Sequence, residues 1–206
     1  MKREVSLAVS GPAATRDGYD RIAERFDARR VLDAERRYVG WFVGQLHVGQ
    51  SVLDVGCGSG RPIGAYLVSI GLDVTGVDVS HAMIELARRV VPGTQLHCAD
   101  IRTVLLPRRF DAILAWDSLF HVPREDHLAV LQRFAGWIQP GGPLLLSLGG
   151  SSWEGMAPMM GSQLFYSSFA PERSLQLVSA AGFDVVQYEL ESGDSRGRLV
   201  VMARRR

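Results

Sequence analysis

The sequence predicts an α/β fold, a doubly wound sheet of seven strands that is mostly parallel and takes one antiparallel strand near its C-terminal end. Three observations carry this reading. Apolar runs of strand length alternate with helical stripes over most of the 206 residues. The early strands end in aspartates or in a glycine-rich turn, which gathers polar groups at one edge of the sheet. The last two runs, 183–190 and 199–202, are separated by 191–198, too short for a crossover helix, so they must pair antiparallel. Crossovers of one hand elsewhere put helices on both faces and ligands at the carboxyl ends of the strands.

Residues 1–14 have no usable periodicity and include Gly11-Pro12, so they are expected to form a flexible arm ahead of a single domain over 15–206. Tyr19, Ile22, Ala23 and Phe26 mark one amphipathic helix, and Val39, Phe42, Val43 and Leu46 a second, an N-terminal pair within 15–48. Arg29, Arg30, Arg36 and Arg37 read as a solvated face.

The stretch SVLDVGCGSG at 51–60 is the most informative in the chain. Val52, Leu53 and Val55 fit a short buried strand, and Gly56, Gly58 and Gly60 permit close backbone approach to a ligand. A helix over 61–70 would point its unpaired N–H groups back at this loop and favour a carboxylate or phosphate there. The third glycine comes one position early for the dinucleotide fingerprint, and no lysine followed by Ser or Thr closes the loop, so nicotinamide and triphosphate binding are disfavoured.

DVTGVD at 73–78 ends in Asp78, where such folds place an acceptor for ribose hydroxyls. Ser80 stands at a helix cap ahead of Ala82, Met83, Ile84, Leu86 and Ala87, and Pro92-Gly93 stops that helix near 91. The strands 95–100 and 110–117 end in Asp100 and Asp117.

Taken in order, VLDVGCGSG, GVDVS, CADI and FDAILAWDS resemble the successive motifs of class I S-adenosylmethionine-dependent methyltransferases, over about 19–204. The resemblance implies a Rossmann-like methyltransferase fold and S-adenosylmethionine as cofactor. It implies that Gly56, Cys57, Gly58 and Gly60 face the methionine part, that Asp78 with Val79 holds the ribose, and that Asp100 with the backbone of Ile101 reads the adenine. By the same resemblance Trp116 is expected either to line the cofactor or to offer its backbone carbonyl to the ammonium, and Tyr19 on the first helix to touch the cofactor carboxylate. Asp54 either braces the loop through N–H groups or reaches the cofactor ammonium through water.

Pro123 opens a helix with acids in its first turn, and Leu128, Leu131, Phe134, Ala135 and Ile138 form its buried stripe up to Pro140-Gly-Gly. LLLSL at 144–148 is the fifth strand, apolar enough to be covered on both faces. The segment 149–169 reads as a long irregular lid over the acceptor, rich in Met and aromatic residues, with Trp153, Met156, Met159, Met160, Phe165 and Tyr166 available to wrap a flat apolar molecule. Asp117 and His121 are placed facing the acceptor, His121 as a candidate general base because it titrates near neutrality. Ala170-Pro-Glu begins the last helix, which Gly182 ends.

Lys plus Arg number 23 against 22 Asp plus Glu, a net charge of +1 that gives no field for nucleic acid or an anionic membrane. Cys57 and Cys98 read as buried fillers, and the histidines form no metal-ligand pattern, so no metal is implied. The terminal ARRR reads as a solvated strand end. No apolar run has the length of a membrane span or of a secretory leader, so the expected protein is cytoplasmic, a monomer or homodimer with a small-molecule acceptor. The competing readings are a cofactor-binding protein that transfers nothing and a methyltransferase acting on protein or RNA.

Overall fold

The computed structural model describes residues 11–33, 35–192 and 197–206. Its main sheet has seven strands: β1 (Ser51–Val55), β2 (Asp73–Asp78), β3 (Gln95–Cys98), β4 (Ala112–Ala115), β5 (Pro143–Gly149), β8 (Phe183–Glu191) and β9 (Arg198–Arg205). Their order is β3-β2-β1-β4-β5-β9-β8. β9 runs antiparallel to both its neighbours, so the predicted hairpin inserts its second strand beside β5. The order reverses between β1 and β4, and a crevice therefore opens beyond their carboxyl ends.

Strict alternation builds two cores. Leu53, Val55, Ile113, Leu144, Leu146 and Val201 face one side, against the helices α5 (His127–Trp137) and α6 (Pro171–Ala180). Val52, Leu114, Leu145, Val200 and Met202 face the other, against α2 (Arg36–Val43) and α3 (Ile63–Ser69). A period of two on a sheet covered on both sides requires every position to be apolar, which is why these strands read as continuous runs.

A remaining pair of helices shapes the site. α1 (Pro12–Asp27) lies on α4 (His81–Val90), joined by Ala23, Tyr19 and Phe26 against Met83 and Leu86. Helix begins at Pro12, so the expected arm is too long at its C-terminal end; proline at the first position is preset for helical φ. Residues 1–10 of that arm lie outside the described residues. Ser80 caps α4 as expected, its hydroxyl accepting from the Met83 N–H at 3.1 Å. Among the described residues no helix is long and apolar enough to cross a membrane.

The expected irregular lid is instead a β-hairpin, β6 (Trp153–Met159) paired with β7 (Ser162–Ser168). Met160 and Gly161 form its two-residue turn with φ of 49° and 81°, the mirror-image geometry whose twist matches an antiparallel pair. Gly155 and Pro158 inside β6 disguise it as a loop; proline is tolerated because, among the described residues, no further strand pairs on that side.

Two smaller expectations also change. Cys98 is exposed and only Cys57 is buried. The terminal arginines are only partly a solvated strand end: Arg204 and Arg206 are exposed, but Arg205 and Arg206 also bond carbonyls at helix ends. Arg205 donates to the carbonyls of Ala135 at 3.0 Å and Gly182 at 2.8 Å, and Arg206 to those of Ser179 and Phe183, satisfying groups that helix ends leave open.

Candidate active site

One pocket opens at the carboxyl ends of β1, β2, β3 and β4, roofed by α1. Tyr19, Asp54, Gly56, Cys57, Gly58, Asp78, Val79, Asp100, Ile101 and Trp116 border it, together with Asp117 and His121. The sequence brings these together from six separate segments. Gly60 is the exception in the loop: it does not border the pocket, and a Cβ there would lie 3.1 Å from Val91, just beyond α4.

The glycine loop makes the first wall. Gly56 has φ of 72°, and a Cβ on it would stand 2.3 Å from the Ser118 Cβ, so no larger residue leaves the loop where it is. The Gly58 N–H donates to Asp78 Oδ2 and the Ser80 N–H to Oδ1, each at 2.8 Å. Asp78 thus spends one lone pair on each oxygen and keeps others for a ligand. Burial pushes its carboxyl up, against the pull of these N–H groups.

The Asp54 side chain is 4% exposed, and among the described residues its carboxylate accepts no N–H from the loop and forms no ion pair, while its backbone is paired within the sheet. Burial, with Asp78 nearby, raises its carboxyl to about 7. The pocket border also holds Asp78, Asp100 and Asp117 against Arg30 and Arg61. Asp100 and Asp117 are each paired with an arginine, Arg102 and Arg198, and the helix expected to aim its N–H groups at the loop, α3, starts only at Ile63. Arg30 leaves the expected solvated face, lies 5.5 Å from the Phe26 ring and pairs with Glu35.

His121 is buried, with a hydrogen bond on each ring nitrogen. The Phe165 carbonyl, 2.6 Å from Nδ1, can only accept, so Nδ1 carries the proton. Nε2 then accepts the Tyr19 O–H at 3.0 Å. Burial lowers His121 to about 4, and burial lifts the Tyr19 hydroxyl well above its ordinary range. The pair is neutral near pH 7.

Asp117, in the left-handed region with φ of 48°, faces the pocket but is not free. Its backbone N–H donates to the Ser147 hydroxyl at 2.8 Å, and Arg198 of β9 reaches its carboxylate at 3.0 and 3.3 Å. Trp153, Met156, Phe165 and Tyr166, expected to hold the acceptor, do not border the pocket among the described residues. Phe165 serves through its carbonyl; Tyr166 packs behind His121, 4.6 Å between ring centroids, and stacks on Phe120; Met156 is 44% exposed. The hairpin supports the site from outside. Sequence reading missed Thr15, Phe26, Arg30 and Ser118 at the border. Phe26 was legible, since it sits two turns after Tyr19 on the same stripe.

Residues 52–142 match a family model described as a methyltransferase domain. A phosphoethanolamine N-methyltransferase of Arabidopsis thaliana is 32% identical over 135 residues, 63% of this chain and 27% of that protein. A ubiquinone biosynthesis O-methyltransferase of Coxiella burnetii is 38% identical over 104 residues, 48% of this chain and 43% of that protein. The chain spans less than half the length of these relatives. Among solved structures, the 1,6-didemethyltoxoflavin-N1-methyltransferase of Burkholderia thailandensis, with bound 1,6-didemethyltoxoflavin and S-adenosylhomocysteine, aligns at a TM-score of 0.75 with 23% identity, covering 98% of this chain and 93% of that one. A magnesium protoporphyrin IX methyltransferase from Synechocystis aligns at 0.72 with 20% identity, covering 98% and 100%. These likenesses extend the shared fold from the matched segment to almost the whole chain.

Proposed function

We propose that this protein, whose residues 52–142 match a methyltransferase domain model and whose fold is shared with solved methyltransferases, binds S-adenosylmethionine and passes a methyl group to an oxygen or nitrogen of a small, apolar or aromatic metabolite. The observation that carries this reading is the convergence of Asp54, Asp78 and Asp100 with the Gly56 and Gly58 backbone on one pocket.

The residues present fit the cofactor. Asp54, buried without a partner, suits an ammonium group, which removes the cost of an isolated buried carboxylate. Asp78, fixed by two N–H donors, has lone pairs left for ribose hydroxyls. When bound, the cofactor supplies a methyl group already activated on a positively charged sulfur. The chain must then align the acceptor and exclude water, and positioning of this kind is worth up to about 7 to 11 kcal/mol.

Tyr19 and Phe26 of α1 close the pocket from above, and hydroxyl–carboxylate contacts hold that helix down at 2.6 Å, Ser80 to Asp20 and Ser59 to Asp27. His121 reaches the pocket through Tyr19. A proton leaving the acceptor passes to the Tyr19 oxygen as the Tyr19 proton moves to His121 Nε2, which becomes an imidazolium held by the Phe165 carbonyl. Because burial holds His121 near 4, this relay takes a proton only once positive charge has built up on the acceptor. A carboxylate acceptor has no use for it.

The test is turnover of S-adenosylmethionine to S-adenosylhomocysteine with a panel of amines, phenols and carboxylates, alongside RNA and protein acceptors. The expected outcome is product with a small molecule. Tight S-adenosylhomocysteine binding with no product for any acceptor would favour a binding protein without turnover, and preferential binding of NADH would overturn the reading.

A further inference from the structure

We propose that Arg102 is a positioning residue for the base end of the pocket, clamping Asp100 so that it accepts a hydrogen bond from a 6-amino purine and rejects a 6-oxo purine. The proposal rests on the S-adenosyl reading of the same pocket. Asp100 follows β3, and Arg102 turns its guanidinium back on it. Arg102 Nε lies 3.1 Å from each carboxylate oxygen, Nη2 lies 2.7 Å from Oδ2, and the Arg102 backbone N–H lies 2.9 Å from Oδ1. The far side of the fork, Nη1, is anchored 2.8 Å from Asp126 in the turn that leads into α5. Arg133 of α5 donates to the Ile101 carbonyl at 3.1 Å and to the Val104 carbonyl, so the loop that carries Asp100 is tied at both ends.

A carboxylate offers about four lone-pair directions. Arg102 meets them with three N–H donors in four contacts, two on each oxygen, the Nε proton being shared between the oxygens; a fourth donor has room once that proton settles on one oxygen, and Asp100 borders the pocket. Partial burial raises the Asp100 carboxyl, but the Arg102 hydrogen bonds win and hold it below the usual carboxylate range. Near neutral pH Asp100 is therefore an acceptor with no proton to donate. An amino group can satisfy it; a carbonyl oxygen in the same place meets a negative charge and finds no donor. A protonated or rotated Asp100 would not discriminate in this way, and Arg102 prevents both.

The experiment is calorimetric titration of the wild type, Arg102→Gln, Arg102→Lys and Asp100→Asn with S-adenosylhomocysteine and with S-inosylhomocysteine, its 6-oxo counterpart. In the wild type the adenosyl ligand is expected to bind about a hundredfold more tightly or better, as sites built to pair an N–H do. Arg102→Gln should cut that ratio at least tenfold, mainly by weakening the adenosyl ligand, and Arg102→Lys should recover part of it by keeping the charge without the fork. Asp100→Asn, able to donate, should bring the two ligands towards parity even if Arg102→Gln fails to fold. If the Arg102 variants weaken both ligands by one common factor, Arg102 is merely structural and the proposal fails. If the wild type binds neither nucleoside, the underlying reading of the pocket fails first.

Discussion

Asp54 and His121 are buried titratable side chains whose effects on stability oppose each other, and the opposition can be measured. Asp54 sits near 7 in the folded protein, above its unfolded value of about 4. Between those values the folded state holds a proton that the unfolded chain has released, so this group makes stability fall as pH rises from about 4 to 7, by roughly 4 kcal/mol. His121 sits near 4, below its unfolded value of about 6.5, so acidification through that window favours the unfolded chain; its contribution rises with pH by roughly 3 kcal/mol. In the wild type the two slopes nearly cancel below pH 6.5. Urea melts from pH 4.5 to 7 should therefore show Asp54→Asn gaining stability with pH relative to wild type, and His121→Phe losing it. The same slope in both variants would rule out this assignment of protons. A cationic ligand adds a second consequence, because ionised Asp54 meets an ammonium better than neutral Asp54 does. S-adenosylhomocysteine should bind more tightly as pH rises from 6 to 8, releasing a proton to buffer, and Asp54→Asn should show neither effect. The positions of Asp54 and Asp78 could be read from the sequence because each ends or interrupts an apolar strand. The Tyr19–His121 bond could not, since it joins residues 102 apart and depends on a backbone carbonyl of the hairpin.

The hairpin β6–β7 and helix α1 together hold His121 at the pocket, and each hangs on a small number of local features. The turn Met160-Gly161 needs positive φ at both positions, and glycine meets that requirement at the second. Gly161→Val should cost about 1–2 kcal/mol, since a branched side chain strains that backbone, and should loosen the Phe165 carbonyl that fixes His121. The readouts are denaturant melts and the intensity of the downfield His121 Nδ1–H resonance; a valine variant of wild-type stability would show that the turn does not constrain the hairpin. Ser80 carries two tasks, capping α4 through Met83 and binding Asp20 of α1 at 2.6 Å. Ser80→Ala is expected to lose about 1–2 kcal/mol, whereas Asp20→Asn keeps the cap and should lose less. Equal losses would mean that the clasp, not the cap, carries the stability. The sequence revealed the cap, because a serine ahead of an apolar stripe is a local signal. It hid the hairpin, because Gly155 and Pro158 interrupt a strand whose alternation is otherwise adequate, and it hid the clasp, whose partners are distant in sequence.

At the scale of the molecule, sheet order and chirality were legible because each strand announces itself by an apolar run and each crossover by a helical stripe, while the short connection before β9 leaves only antiparallel pairing. What could not be read was how the roof is pinned. α1 packs on α4 through the apolar stripe of Tyr19, Ala23 and Phe26, but Asp20, Asp27 and Tyr19 tie it to the loops of the sheet's ligand edge, and such polar contacts have no periodicity. This division predicts how the protein opens. β4 and β5 are buried along their length, sealed on one side by Phe134 and Val178 and on the other by Phe42 and Leu67, so their amides should exchange with solvent only through global unfolding. α1 is held by Ala23 and its neighbours against α4 and by the contacts to Ser80, Ser59 and His121, and among the described residues β6 and β7 pair only with each other. Both should open in smaller steps of lower free energy. A ligand that binds beneath α1 must draw on that equilibrium, because it stabilises only the states in which Tyr19 and Phe26 close over it. Hydrogen exchange of the free protein should rank β4 and β5 slowest and α1 and the hairpin faster; saturating S-adenosylhomocysteine should slow α1 and the loops after β1 and β2 far more than β8. Uniform slowing across the sheet would instead mean that roof and sheet open as one unit, and that ligand entry needs more than the release of α1.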